Sequence, residues 1–266
     1  MTGDLVTSID GPVARITFNR PAARNAITQE MLAALCEFLR GIEHQHGIRC
    51  ILFSGNGEHF SAGGDVVAFR QTLERSAEHR RVEFTERVLA AGELFKLLAG
   101  LPQPIVVSAR GAVAGVALGV LAAADFAVGS STALLILAHV NIGGSPDGAT
   151  SYYLPRLLGA RKAKELAILG QKVPAAEALA LGLLNRVVPD AELDLEVAAL
   201  VARICAAPAE SVRRAKMLMD RSLDNSLELQ LQIEALSFAA CAATDDFIEG
   251  VTAFTAKRKA VFNQSI

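Results

Sequence analysis

One carboxylate in this chain stands where an acid or a base is useful. Asp147 follows Ser145-Pro146 in the glycine-rich turn Ile142-Gly143-Gly144-Ser145-Pro146-Asp147-Gly148, just before a helix. In a largely apolar pocket, a carboxyl of raised pKa can take up and return a proton. The same residue also suits a helix N-cap, because Gly148-Ala149-Thr150-Ser151 follows it. His139 is a second side chain able to move protons, although a lone histidine is more often a satisfied structural group. Gly63-Gly64 after a buried strand reads first as a turn. Gly111, Gly115, Gly119 and Ala123 fall four apart, which gives a helix a smooth face for close packing. Arg24 alone is a surface cation.

The elements that must position these residues alternate. Val13-Ala14-Arg15-Ile16-Thr17-Phe18 has Ala14, Ile16 and Phe18 on one face and reads as a half-buried strand. Asn19-Arg20-Pro21 breaks it. Ile27, Met31, Leu35, Phe38, Leu39 and Ile42 recur at helical spacing, with Thr28 as N-cap and Gly47 as the stop. Ile48 to Ser54 is nearly all apolar, as in a strand buried on both faces. Residues 66 to 100 read as helix, charged and solvated from Arg70 to Arg87. Pro102 and Pro104 bound a third strand, Ile105 to Ala109. A glycine turn, an apolar helix to Ala124 and a short strand, Phe126 to Gly129, follow. Strand alternating with helix argues for an α/β fold with crossover connections.

Beyond about Ser151 the pattern is mostly helical. Arg161–Leu169 is closed by Gly170, and Ala175–Leu181 by Gly182. Leu184–Val188 is a short strand. Three or four helices run from Ala191 to the end, broken near Pro208 and Asn225. The expected organisation is a core domain over 1–194 and a helical region over 195–266, divided by a change of secondary-structure class.

Composition bounds the function. The chain has 266 residues, 52% of them hydrophobic, with a formal net charge of -2. That balance supports a sizeable core and argues against a nucleic-acid binder or a disordered chain. Cys36, Cys50, Cys205 and Cys241 form no CxxC pair, so no metal or redox motif is expected. The most apolar stretch, Ala112 to Ala124, is too short to span a bilayer. No signal pattern opens the sequence, and a cytoplasmic protein is expected.

Four segments, in this order and spacing, resemble the crotonase (enoyl-CoA hydratase/isomerase) superfamily. They are Asn19-Arg20-Pro21-Ala22-Ala23-Arg24-Asn25-Ala26, then Phe60-Ser61-Ala62-Gly63-Gly64-Asp65, then Gly111 to Asp125, then Ile142 to Ser151 with Leu154-Pro155-Arg156-Leu157-Leu158-Gly159. Asp246 to Arg258 extends the resemblance almost to the end. It implies a spiral of ββα turns and a helical C-terminal region that mediates trimer contacts, giving a homotrimer or a hexamer.

The resemblance also implies roles. Two backbone N–H groups, those of Gly64 and Val116, would hold the oxygen of an acyl-CoA thioester as it becomes an enolate. Val116 stands where the family usually has glycine. Arg24 would lie near the CoA phosphates, and Ala26, Ser61 and Ala62 near the adenine and pantetheine. Phe254 and Lys257 would reach CoA from a neighbouring subunit. Coenzyme A arrives as part of the substrate, and no separate cofactor, metal or membrane partner is expected. The two glutamates of the family's hydratases fall at Gly119 and at about His139, and neither is a carboxylate here. Asp147 resembles the sole acid/base of the isomerase branch. The leading expectation is therefore an enoyl-CoA isomerase with Asp147 as catalyst. The alternatives are a hydratase that uses Asp147 with His139, and a non-catalytic acyl-CoA-binding scaffold. Dehalogenation is disfavoured, since Val82 to Gly100 holds no histidine and the chain holds no tryptophan.

Overall fold

The computed structural model describes residues 3–137 and 139–263. Its strands are β1 (Leu5–Asp10), β2 (Val13–Phe18), β3 (Cys50–Gly55), β4 (Ile105–Ala109), β5 (Ala112–Ala114), β6 (Phe126–Ser130), β7 (Leu134–Ile136), β8 (Lys172–Pro174) and β9 (Arg186–Val188). Its helices are α1 (Gln29–Ile42), α2 (Val66–Phe69), α3 (Ala77–Gly100), α4 (Val116–Ala123), α5 (Thr150–Leu158), α6 (Ala160–Leu169), α7 (Ala175–Ala180), α8 (Leu193–Ala206), α9 (Ala209–Arg221), α10 (Leu227–Ala242) and α11 (Asp245–Thr255). One sheet is ordered β1-β2-β3-β4-β6-β9, and a second β5-β7-β8. Only the β1–β2 pair of the larger sheet is antiparallel.

The two faces of the larger sheet explain its sequence. Ala14, Ile16 and Phe18 on β2 are fully buried, with Ile51 and Phe53 of β3 in the same core as α1 and α4. The opposite face, Val13, Cys50, Leu52, Val106 and Val128, is covered by Leu193, Val197, Leu200, Val201 and Ile204 of α8. A parallel sheet covered on both sides needs apolar runs rather than alternation, as in β3 and β4. Burial also pushes the Cys50 thiol well above its ordinary range. The division expected at 194 falls inside α8, which is packed on the sheet.

Several boundaries differ from the sequence reading. The helix expected over 66 to 100 is interrupted: α2 runs into a 3-10 turn at Arg70–Thr72, and α3 starts afresh with Ser76 as N-cap to His79 N–H. α1 ends at Ile42 rather than at Gly47, with Glu43 as its C-cap, while Thr28 does cap its start by accepting from Met31 N–H. β1 was not expected, because Val6 and Ile9 face solvent on this edge strand and mask its one buried face. β5, β7 and β8 are three residues each, too short to show a period.

The C-terminal helices are tied back by charge as well as packing. Lys216 on α9, almost wholly buried, donates to both oxygens of Asp125 at 2.7 and 2.9 Å. Asp125 also accepts from Ile105 N–H at 2.7 Å, so the pair is anchored at the start of β4. Among the described residues no helix is long and apolar enough to cross a membrane.

Candidate active site

The loop after β3 carries Gly64, and its shape follows from its bonds to the segment before α1. Ala62 N–H donates to Arg24 O at 2.8 Å, Ile27 N–H to Gly63 O at 2.8 Å, and Asp65 N–H to Ile27 O at 3.1 Å. Ser61 is fully buried; its Oγ donates to Asn25 O at 2.7 Å and accepts from Gly63 N–H at 3.1 Å. Asn25, also fully buried, accepts from Arg20 N–H and donates to Asn56 O and His59 O. Arg20 donates to Ala26 O at 2.7 Å and to Asp65 at 3.1 Å, and Asp65 caps α2. The loop is thus held on three sides, and the Gly64 N–H donates to no protein acceptor among the described residues.

Opposite it, β5 turns into α4 through Gly115. Its φ of 51° lies in the left-handed region open to glycine. Gly63, at φ 89°, packs so closely on this turn that a Cβ there would stand 2.7 Å from Ala114 O. A Cβ on Gly115 would lie 3.9 Å from Gly64 N and 3.8 Å from His139 Nε2. The two glycine turns and the imidazole therefore surround one small space. Val116, the first residue of α4, has no acceptor for its N–H among the described residues, and the helix dipole adds positive potential there. Its side chain is buried against Gly148, whose own Cβ would stand 3.3 Å from Val116 Cγ2.

Asp147 reaches the same place from the loop before α5. Its Oδ1 lies 3.0 Å from His139 Nε2, and Oδ2 has no protein donor among the described residues. The helix-cap role open to Asp147 from its sequence is not what its carboxylate does: α5 begins at Thr150 with no side-chain cap. Only the backbone of Asp147 serves the helix, its carbonyl accepting from Thr150 N–H and Oγ1. His139 is mostly buried, at 11% side-chain exposure, and Asp147 is 38% exposed.

The position of the first hydratase glutamate is closed. A Cβ on Gly119 would stand 2.8 Å from the Gly148 carbonyl carbon and 2.9 Å from Phe95 Cζ, with the Gly148 oxygen nearer still. No side chain of any kind fits there without moving the Asp147–Gly148 loop.

The remaining expected residues divide. Arg24, Ala26, Ser61 and Ala62 are brought together at the loop, and the exposed Arg24 side chain has no partner among the described residues. The Ser61 side chain, however, faces inward as a brace, and its backbone N–H and carbonyl are bonded to Ala112 O and Ala114 N–H. Phe254 is 84% exposed on α11, and Lys257 lies exposed just beyond; no described contact ties either to the Arg24 loop within one chain. Tyr152 lies under Arg156, whose Cζ is 3.6 Å from the ring centroid, and reaches toward Asp224. Burial, with Tyr152 beside it, pushes the Tyr153 hydroxyl up. Sequence reasoning assigned no role to Arg20, Asn25 and Asp65; Asp65 adjoins Gly64, but Arg20 and Asn25 lie in a segment without glycine and carry no spacing signal that ties them to it. A cavity of about 780 Å³ lined by Arg49, Arg203, Cys205 and Lys259 lies at the opposite end of β3 and contains none of these groups. No group of three or more His, Cys, Asp or Glu among the described residues could hold a metal ion.

The family model described as enoyl-CoA hydratase/isomerase matches residues 8–265. A trans-2-decenoyl-[acyl-carrier-protein] isomerase of Streptococcus mutans is 30% identical over 97% of both chains. A crotonyl-CoA hydratase of Syntrophomonas wolfei is 28% identical, again over 97% of both. The crystal structure of an enoyl-CoA hydratase from Mycobacterium smegmatis superposes with a TM-score of 0.88 at 29% identity, covering 97% of this chain and 98% of that one.

Proposed function

The chain belongs to the enoyl-CoA hydratase/isomerase family, and from that premise we propose that it shifts a double bond within an enoyl-CoA, with Asp147 as the one acid/base. The thioester oxygen rests between the N–H groups of Gly64 and Val116. Asp147 takes a proton from C2 of a 3-enoyl thioester, and the charge passes to that oxygen as a dienolate. Returning the proton at C4 completes the shift, and the carboxylate is regenerated. Preorganised donors need no rearrangement as the charge develops, and each contributes about 3 kcal/mol.

The observation that carries this reading is the closed space at Gly119. Hydration by the family's glutamate pair needs a water-activating side chain on α4, and the Gly148 carbonyl stands where its Cβ would have to be. A 1,3-proton shift needs only one carboxylate, and Asp147 has an oxygen free for it.

For the rest of the substrate, the unpaired Arg24 guanidinium suits a CoA phosphate, and the backbone of Ala26 and Ala62 lies on the same loop. The exposed Leu227, Leu231, Leu236, Phe238, Ile248 and Phe254 of α10 and α11 favour a homotrimer, or a hexamer of two trimers, that covers them and brings Phe254 and Lys257 to a neighbour's CoA. Incubation with a 3-enoyl-CoA and, separately, with a 2-enoyl-CoA in water tests the reaction. Conversion of the first to the 2-enoyl product without hydration of the second is the expected result. Rapid hydration, or binding of both without turnover, overturns it.

A further inference from the structure

His139 is a second proton-carrying side chain at the site, and its two nitrogens are placed very differently. Nε2 faces Asp147 Oδ1 at 3.0 Å. Nδ1 is buried and has no hydrogen-bond partner among the described residues. An ionised carboxylate only accepts, so Nε2 carries the hydrogen of this bond. A histidine that relays protons needs a route through its second nitrogen, as when one ring nitrogen is oriented by a carboxylate and the other meets the reacting group. Here the second nitrogen is shut off from bulk solvent and bonds to no polar group among the described residues.

We infer that His139 is a positioning residue: its Nε2–H pins Oδ1 of Asp147, leaving Oδ2 as the single oxygen that carries a proton from C2 to C4 on one face of the substrate. The inference rests on the isomerase reading. In the first step the C2–H bond breaks, its hydrogen passes to Oδ2, and the electron pair moves onto the thioester oxygen as the dienolate. In the second step C4 takes the same hydrogen from Oδ2, the electron pair returns from the oxygen, and the C2–C3 double bond is set. A carboxyl that cannot rotate holds that hydrogen beside the dienolate, so little of it is exchanged for a solvent proton.

The test uses a 3-enoyl-CoA deuterated at C2, incubated in ordinary water with the full-length protein. Label at C4 of the product and kcat are measured for the native protein, H139Q, H139A and D147N. Glutamine places an amide N–H near the position of Nε2 but cannot act as an acid or base, so it separates holding from proton transfer. The native protein and H139Q should both carry much of the label to C4, with kcat for H139Q within a few-fold of native. H139A should lose label to solvent and about 10²-fold in kcat, as expected when a reacting group is misplaced by an ångström, with a smaller change in KM. Equal and severe loss in H139Q and H139A, with both variants folded by circular dichroism, overturns the inference and makes the imidazole itself a proton carrier. Native rate and label transfer in H139A overturn it as well. An active D147N defeats the isomerase reading instead, independently of His139.

Discussion

The carbonyl of Gly148 fills the space that a side chain on Gly119 would need, and that contact ties the shape of α4 to the position of Asp147. Gly148, at φ 57°, in turn packs on Val116, the first residue of α4. The loop therefore rests on the helix that, in the proposed reading, supplies one oxyanion donor. The choice of carboxylate and the geometry of that donor are not independent.

Gly119→Ala should expose this coupling. The added methyl meets backbone rather than a flexible side chain, so overpacking should cost about 1–3 kcal/mol. Urea denaturation should show a lower midpoint with an unchanged slope, and double-bond shift activity should fall because Asp147 moves. Unchanged stability and activity would mean that the loop can retreat freely.

Ser61→Ala should weaken the Gly64 loop from below. It leaves the buried carbonyl of Asn25 and the N–H of Gly63 without the Oγ that serves both. Unsatisfied buried groups cost about 1–3 kcal/mol. The expected result is a loss of that size in urea denaturation and a drop in kcat larger than the change in KM. A loss confined to KM would instead place the hydroxyl on the substrate.

The C-terminal segment should be sensitive to acid. Glu249 accepts from Arg258 at 2.6 and 2.7 Å and from Val261 N–H at 2.9 Å. The Arg258 guanidinium, and then the amide, hold its carboxyl down at about 2. Because the folded value lies below the ordinary carboxylate range, these contacts are complete above that range and are lost as pH falls toward 2. The Val261 amide resonance should titrate with a midpoint near 2, shifted up into the ordinary range in R258M. A midpoint that R258M leaves unmoved would contradict the arrangement.

Much of the architecture was legible because its cause is local. The apolar run of β4 and the helical spacing from Met31 to Ile42 each state their own burial, and Gly170 closes α6 in the left-handed conformation as its type suggests. The three-residue strands β5, β7 and β8 were not legible, since they exist only through pairing with distant partners, whereas β9 falls within the strand expected over Leu184–Val188. The candidate site was legible as a set of segments but not as a geometry. That Asp147 pairs with His139 rather than capping α5 depends on how far the loop is pulled in by Gly119. That Ser61 turns inward depends on Asn25 across the loop. Neither relation has a period or a spacing to betray it.

The most direct measurement of the central claim is kcat/KM of Asp147→Asn for conversion of a 3-enoyl-CoA to its 2-enoyl isomer, together with the affinity of that variant for the product CoA ester. The carboxamide keeps the size of the side chain but cannot take the α-proton. The account predicts a fall of about 10²–10⁴-fold with product affinity preserved. An Asp147→Asn protein that isomerises at the native rate would contradict it.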